Sequence, residues 1–430
     1  MNKLRLSKTD PQLANALSAE YKRQQEGIEL IASENYVFPE VLEALGSVFT
    51  NKYSEGYPGK RYYGGQENTD EIELIAIERA KKLFGCDHAN VQPHSGAPAN
   101  YAVLGAWCEL GDTILGMDLS HGGHLTHGHP VTIMSEMYNF VRYKIKDTET
   151  GEIDFEALRD IAKKNKPKMI LAGYSSYPRD LDYRKFKEIA DEVGAVAWAD
   201  VAHIAGLIAA GEMNNPFEAG FHVVSTTTHK TLRGPRGAMI LSMGKAGNPL
   251  KQTEKTLENL ATLIDRAVFP GFQGGPHMNN VLAKAVAFGQ ALRPEFKEYA
   301  KQIKSNAKKL ADELMQRGYK LVTNGTDNHL MVIDTITSSS LSGKQVEVTL
   351  DAVGLTASKS PIPDDPRSPV DPSGLRLGTP AMTTRGMKEA EMEHIARWID
   401  EAITHREDEA RLAKLHEEVK EFCSRYPLPV

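Results

Sequence analysis

Lys230 follows the polar, β-prone run Ser225-Thr-Thr-Thr-His229, and Asp200-Val-Ala-His203 lies upstream at the end of another apolar stretch. A lysine that forms a Schiff base must spend time deprotonated, which favours a confined, partly desolvated site near other cations. A carboxylate facing a pyridine nitrogen keeps that nitrogen protonated and the ring an electron sink. Apart, Lys230 reads as a surface lysine and Asp200 as a turn former. Together, each after a predicted strand and so at the carboxyl edge of an α/β sheet, they read as the two halves of pyridoxal-phosphate chemistry. His203, His229 and the threonines before Lys230, Thr227 among them, offer further ring or phosphate contacts.

Other motifs could complete such a site. In His94-Ser-Gly-Ala-Pro-Ala-Asn100, Ser95 can cap a helix whose first amides, at Gly96 and Ala97, point outward at an anion. A plain capped helix is the alternative. Ser120-His-Gly-Gly-His-Leu-Thr-His-Gly-His129 holds four histidines. Its glycines break any single helical face and no carboxylate or cysteine completes a set, so no metal is expected. His124 suits stacking on an aromatic ring, and the other three read as structural. Asn51 to Gly65 is a tyrosine–glycine loop with Tyr53, Tyr63 and one acid, Glu55. It suits an interface loop, a substrate loop, or both. Phe269-Pro-Gly-Phe-Gln-Gly-Gly-Pro276 offers the Gly274 and Gly275 amides to an anion, or is only a turn. Ser373-Gly-Leu-Arg-Leu-Gly-Thr-Pro380 presents Arg376 to a carboxylate in two-point contact, or to a surface ion pair.

The elements that must position these groups alternate. Strands are expected at 88–92, 113–117, 140–145, 169–172, 195–198, 222–226 and 238–241, with helices near 97–108, 154–164 and 183–192. That pattern predicts a mainly parallel sheet with helices on both faces. Helices are also expected at 12–26 and 68–84, then a long helical stretch from 277 to 317 with a break at Pro294. A smaller α+β portion follows, with a strand at 330–333, a proline- and aspartate-rich loop at 361–373, ordered or mobile, and a closing charged helix at 386–424. The expected division is an N-terminal helical arm (1–25), a large domain (26–280), and a linker helix with a small domain (281–430).

With 430 residues, the chain suggests more than one domain. A net charge of −6 with both signs interspersed predicts no nucleic-acid or membrane partner. Three scattered cysteines, no signal-peptide core near the start and no apolar stretch of about 18 residues point to a soluble cytoplasmic enzyme.

Taken together, Glu29-Leu-Ile-Ala-Ser-Glu-Asn35, the tyrosine–glycine loop, the histidine run, Thr-Thr-Thr-His-Lys-Thr and Phe-Pro-Gly-Phe-Gln-Gly-Gly-Pro strongly resemble the serine hydroxymethyltransferase family across nearly the whole chain. The resemblance implies an aspartate-aminotransferase-like α/β fold (pyridoxal-phosphate fold type I), with a mainly parallel seven-stranded large domain and a smaller α+β domain. It also implies reversible transfer of the serine hydroxymethyl carbon to tetrahydrofolate, within a homodimer. A folate-independent β-hydroxy-amino-acid aldolase is the alternative.

By this resemblance Lys230 carries the cofactor, Asp200 pairs with the ring nitrogen and His124 stacks on the ring. His203 and Ser175 lie at the ring oxygen and substrate. Ser95, Gly96, Thr227 and His229 match the cofactor's phosphate region, with Tyr53 and Gly275 reaching in from the partner subunit. Ser33 and Arg376 match the substrate-carboxylate site, Tyr63 the intersubunit tyrosine, and Glu55 the glutamate that handles a proton. Leu119, Gly123, Leu125, Ser360, Ser368, Pro369 and Val370 match folate-contacting segments. Ala97 and Pro98 depart from a common Ser-Gln, and Ser358-Lys-Ser360 from a common Asn-Lys-Asn. Serine is shorter than asparagine and has one donor where the amide has two.

Overall fold

The computed structural model describes residues 3–429. Met1 and Asn2 of the expected arm, and Val430 of the expected small domain, lie outside the described residues. Seven strands follow in chain order: β1 (His88–Asn90), β2 (Thr113–Met117), β3 (Asn139–Tyr143), β4 (Met169–Gly173), β5 (Val196–Asp200), β6 (Val223–Thr227) and β7 (Ala238–Ser242). All seven expected strands are present, their ends displaced by no more than two residues. β1 stops early because the Asn90 side chain accepts the Gln92 amide at 3.0 Å and turns the backbone out of the ladder.

These strands form one sheet in the order β1-β7-β6-β5-β4-β2-β3. β2 to β6 run parallel, and β7 runs antiparallel to both its neighbours. β4 to β7 are buried along their whole length, as strands covered on both faces must be. Alternate residues serve opposite layers: Ile170, Ala172, Ala197 and Ala199 face one core, while Met169, Leu171, Val196 and Trp198 face the other. Helices Gly96–Trp107, Phe155–Asn165 and Tyr183–Val193 cover the sheet. Asp154 and Asp182 cap the latter two by accepting backbone amides three residues on.

A second core surrounds a three-stranded antiparallel sheet of β8 (Leu330–Asp334), β9 (Ser358–Ser360) and β10 (Gly374–Gly378), ordered β8-β10-β9. The expected closing helix is two helices, Glu389–Thr404 and Glu409–Cys423. The break falls where the Asp408 carboxylate accepts the Arg411 amide at 3.0 Å and starts the second helix. The 361–373 loop is ordered. Asp365 accepts the amides of Arg367 (2.9 Å) and Ser373 (2.8 Å) and the Ser373 hydroxyl (2.7 Å).

Packing runs across both expected domain boundaries. Ile28–Glu29 pairs in parallel with Leu355–Thr356, so Ile28, Leu30 and Tyr36 belong to the second core. Helix Met278–Ala291 places Met278, Val281, Ala285 and Phe288 in the first. Helix Pro294–Gln316 begins at Pro294 and serves both cores, Phe296, Ala300 and Ile303 in the first and Ala307, Leu310 and Leu314 in the second. No helix among the described residues is long and apolar enough to cross a membrane.

Arg385 ties this second core together. Its guanidinium, nearly fully buried, donates to the carbonyls of Gln24, Gln25, Gly27, Cys423 and Tyr426 at 2.7–3.1 Å. Arg385→Leu strands these acceptors without donors, and the expected loss is about 3–5 kcal/mol, as for breaking a buried charged contact. Urea unfolding followed by tryptophan fluorescence tests this, and an unchanged midpoint would remove Arg385 from the role.

Candidate active site

Asp200 ends β5, paired with Gly173 of β4 and Ser225 of β6. Its Oδ2 accepts from Asn100 Nδ2 at 2.8 Å and lies 3.0 Å from His127 Nε2, while Oδ1 accepts the Ala202 amide at 3.1 Å. The His124 amide donates to His127 Nδ1 at 3.2 Å. That assigns the neutral tautomer of His127, so its Nε2–H points at the carboxylate. Asn100 is fixed in turn by the Ser225 hydroxyl at 2.7 Å, which accepts from Trp198 Nε1 at 2.9 Å. Burial pushes the Asp200 carboxyl up, but the hydrogen bonds from His127 and Asn100 prevail and hold it well below the usual carboxylate range. His127 therefore does more than the structural duty expected of it. The available signal was its spacing: His124 caps and His127 ends the short turn Leu125–His127 after β2.

His124 Nδ1 accepts the Thr126 amide at 3.2 Å and lies 2.8 Å from the Thr126 hydroxyl. Burial, with the charges of Lys230 and Arg376 and against that of Asp200, lowers its pKa to about 4, so the ring is neutral. A neutral ring can stack flat on an aromatic face. His203 Nδ1 lies 3.2 Å from His329 Nε2 with the two rings stacked. Burial and the Lys230 and Arg376 charges keep both imidazoles neutral.

Lys230 is buried beside these groups, and its carbonyl accepts from Asn35 Nδ2 at 3.0 Å. Burial lowers its pKa to about 7; the Asp200 charge opposes this, and those of Arg376 and Arg236 add to it. Burial thus moves the amine towards the free base that a Schiff-base lysine requires. Asn35, His127, Asn100 and His329 are the positions that sequence reasoning missed.

Ser95 precedes helix Gly96–Trp107 in extended backbone, and its side chain makes no cap bond. The hydroxyl is therefore available beside the unbonded amides of the first turn. A Cβ on Gly96 would meet Thr227 Cγ2 at 2.9 Å, so glycine lets this turn close onto β6. His229 is held neutral, near 3, by burial and the charges of Lys230 and Arg236.

Arg376 projects from the middle of β10 and donates to the Ser175 carbonyl at 2.7 Å, while its Nε has no partner. Burial alone pulls it to about 10, with no carboxylate to raise it. The surface ion pair is thereby replaced by a guanidinium with donors to spare. Ser175 donates to the Gly123 carbonyl at 2.7 Å, tying the end of β4 to the Leu119–Leu125 turn. The segment carrying Ser33 runs along β10, where the Gly378 amide donates to the Leu30 carbonyl at 2.8 Å.

Asp364 bonds Lys144 and lies 3.2 Å from His121, so the Ser368–Val370 loop is tethered towards the same turn. Val370 and Leu125 are exposed, whereas Ser360 is buried with its hydroxyl on the Pro361 carbonyl at 3.2 Å. Tyr53, Glu55 and Tyr63 form a separate group. The Tyr53 hydroxyl donates to Glu55 at 3.3 Å, its ring lies 5.2 Å from Tyr63, and Gly274 and Gly275 pack against Glu55 and Tyr53. Among the described residues, no hydrogen bond or ring contact shown joins this group to Lys230 or Asp200; Gln66 and Tyr62 bond the backbone carbonyls of Tyr53 and Glu55.

These donors fit pyridoxal phosphate on three counts: a buried carboxylate held ionised, a serine and first helical turn free for a phosphate, and a guanidinium lacking a carboxylate. The family model described as serine hydroxymethyltransferase matches residues 6–399.

The lowered Lys230 pKa has a direct readout. In the cofactor-free chain, borohydride trapping of a small aldehyde on Lys230 should rise with pH through a midpoint near 7, because the free base forms above its pKa. A midpoint near the ordinary lysine value of about 10.4 would contradict the site as described.

Proposed function

The chain belongs to the serine hydroxymethyltransferase family, and on that premise we propose the part each residue plays. The reaction is the reversible transfer of the hydroxymethyl carbon of L-serine to tetrahydrofolate, giving glycine and 5,10-methylenetetrahydrofolate, with pyridoxal phosphate as cofactor. No observation favours the folate-independent aldolase.

When bound, pyridoxal phosphate supplies a protonated conjugated ring that takes up the electron pair released at the amino-acid α-carbon. Lys230 would be its attachment point, Asp200 would keep the ring nitrogen protonated, and the His124 ring would stack on it. Ser95, Gly96, Thr227 and His229 hold the phosphate. His203 and Ser175 line the ring-oxygen side. Arg376, with Ser33, grips the amino-acid carboxylate and so sets which α-carbon bond stands over the ring; orientation of this kind selects the bond that breaks. The observation that carries this reading is the unpaired Arg376 guanidinium at the Ser175 carbonyl. Glu55 holds or moves a proton at the serine hydroxyl or folate. Leu119, Gly123, His124, Leu125, Ser360, Ser368, Pro369 and Val370 line the folate site.

The active unit is a homodimer in which Tyr53, Glu55, Tyr63 and Gly275 serve the partner's site. In support, Tyr53 and Phe272 are 57% and 43% exposed, and Tyr62 and Tyr63 stand out beside them. A reducing cytoplasm suits three cysteines that are all free and buried. The partners are small molecules and a second copy, with no nucleic acid or membrane.

Asp200→Asn should keep the cofactor and lower kcat about ten- to two-hundredfold, the kinetic equivalent of one charge-assisted hydrogen bond. Transfer of label from serine C3 to tetrahydrofolate measures this, and full turnover would refute the role. Subunit sharing has its own test. Lys230→Ala and Glu55→Gln chains, each inactive alone, should regain activity on mixing, up to about a quarter of native sites for random twofold pairs. No recovery, with exchange of subunits verified, would put Glu55 in its own chain's site.

A further inference from the structure

Helix Met278–Ala291 carries a lysine, Lys284, that is only 1% exposed. Its ammonium donates to three backbone carbonyls: Val91 at 2.7 Å, Ala238 at 2.8 Å and Pro93 at 3.1 Å. Three acceptors match the three protons of an ammonium, whereas a neutral amine has two to give. Burial pulls Lys284 down to about 7, and the Glu73 carboxylate acts in the other direction. Bonding of the charged form by three carbonyls also favours the proton. A lysine sealed from water is rare without a partner of this kind.

The acceptors share a place in the fold. Val91 and Pro93 belong to the segment between β1 and Ser95, and Ala238 opens β7. The Pro93 carbonyl also accepts the Ala238 amide at 3.1 Å, so the ammonium closes a junction between the two segments. On the β7 side, the Gly237 carbonyl accepts the Thr228 amide at 3.0 Å, and the Gly237 amide approaches His229 Nδ1 at 3.5 Å. One cation thus fixes both walls of the cleft: the 93–96 turn on one side, Thr228 and His229 on the other.

We propose that Lys284 is a positioning residue for the cofactor's phosphate, clamping the Val91, Pro93 and Ala238 carbonyls so that Ser95, the Gly96 amide and His229 converge on one anion. The inference rests on the reading that those three groups hold the phosphate. Lys284 acts through them and is not itself a catalytic residue. A residue that merely anchored the helix would weaken every ligand alike; one that aims the cradle weakens only the ligand that bears a phosphate.

The test compares pyridoxal 5′-phosphate with pyridoxal, which lacks the phosphate, as ligands for the cofactor-free full-length chain, followed by absorbance. Lys284→Met removes the ammonium and keeps an unbranched apolar stem out to Cε. Gly237→Ala leaves the lysine but adds a Cβ that would meet Lys284 Cε at 2.6 Å and Nζ at 3.1 Å, and it decides the matter if the first variant does not fold. The expected result is a fall of about tenfold or more in the preference for the phosphorylated ligand, tenfold being about 1.4 kcal/mol. Pyridoxal affinity should stay unchanged, and Gly237→Ala should show a smaller shift in the same direction. Equal weakening of both ligands, or none, overturns the inference. Ser95→Ala separates the two levels. If it too leaves the preference intact, the phosphate cradle itself is misassigned and both readings fall; if it lowers the preference while the other variants do not, only the role of Lys284 falls.

Discussion

A carboxylate taken out of water costs several kcal/mol unless its oxygens are met by donors, and the large sheet is arranged around meeting that demand for Asp200. The donors come from three places: His127 from the turn after β2, Asn100 from helix Gly96–Trp107, and the Ala202 amide just beyond β5. Satisfying one charge therefore fixes where two strands and a helix converge. The turn that delivers His127 also carries His124, and the helix that delivers Asn100 begins at the Ser95–Gly96 turn. The His124 ring and the Ser95–Gly96 turn are thus set in place by the same contacts that keep the carboxylate ionised.

The buried cations divide by how completely they are satisfied. Arg385 meets five carbonyls and Lys284 meets three, so neither has much left to offer a ligand. Arg376 has one carbonyl and an Nε without a partner. An unfilled donor on a guanidinium costs stability in the folded chain, and the proposed amino-acid carboxylate would fill it. Lys230 is the complementary case, where burial outweighs the charge of Asp200 and yields an amine that readily sheds its proton.

The strands were legible because a parallel strand buried on both faces reads as a short apolar run between turn residues, and Asp200 and Lys230 each follow such a run. Contacts between distant parts of the chain were not. Asn35 reaches the Lys230 carbonyl across 195 positions, and no local pattern announces that. His127 looked idle because the glycines around it rule out a helix face, whereas the structure uses a short turn to aim it. The break between the last two helices was hidden by continuous charge on both sides, and only the capping geometry of Asp408 reveals it. Ser95 was expected to cap its helix; an unused hydroxyl is a matter of rotamer and backbone angle, which composition does not encode.

Helix Pro294–Gln316 is sunk in both hydrophobic cores along its 23 residues. Two lobes joined only by slack peptide open like a jaw and must be drawn together by the ligand, at a cost in conformational freedom. Here a stiff rod spans the joint, Arg376 stands on one lobe, and Lys230 stands on the other. Their separation is set before any amino acid arrives. On the proposed role of Arg376, the cleft is preorganised, and the free energy of carboxylate capture can go into orienting the reacting bond.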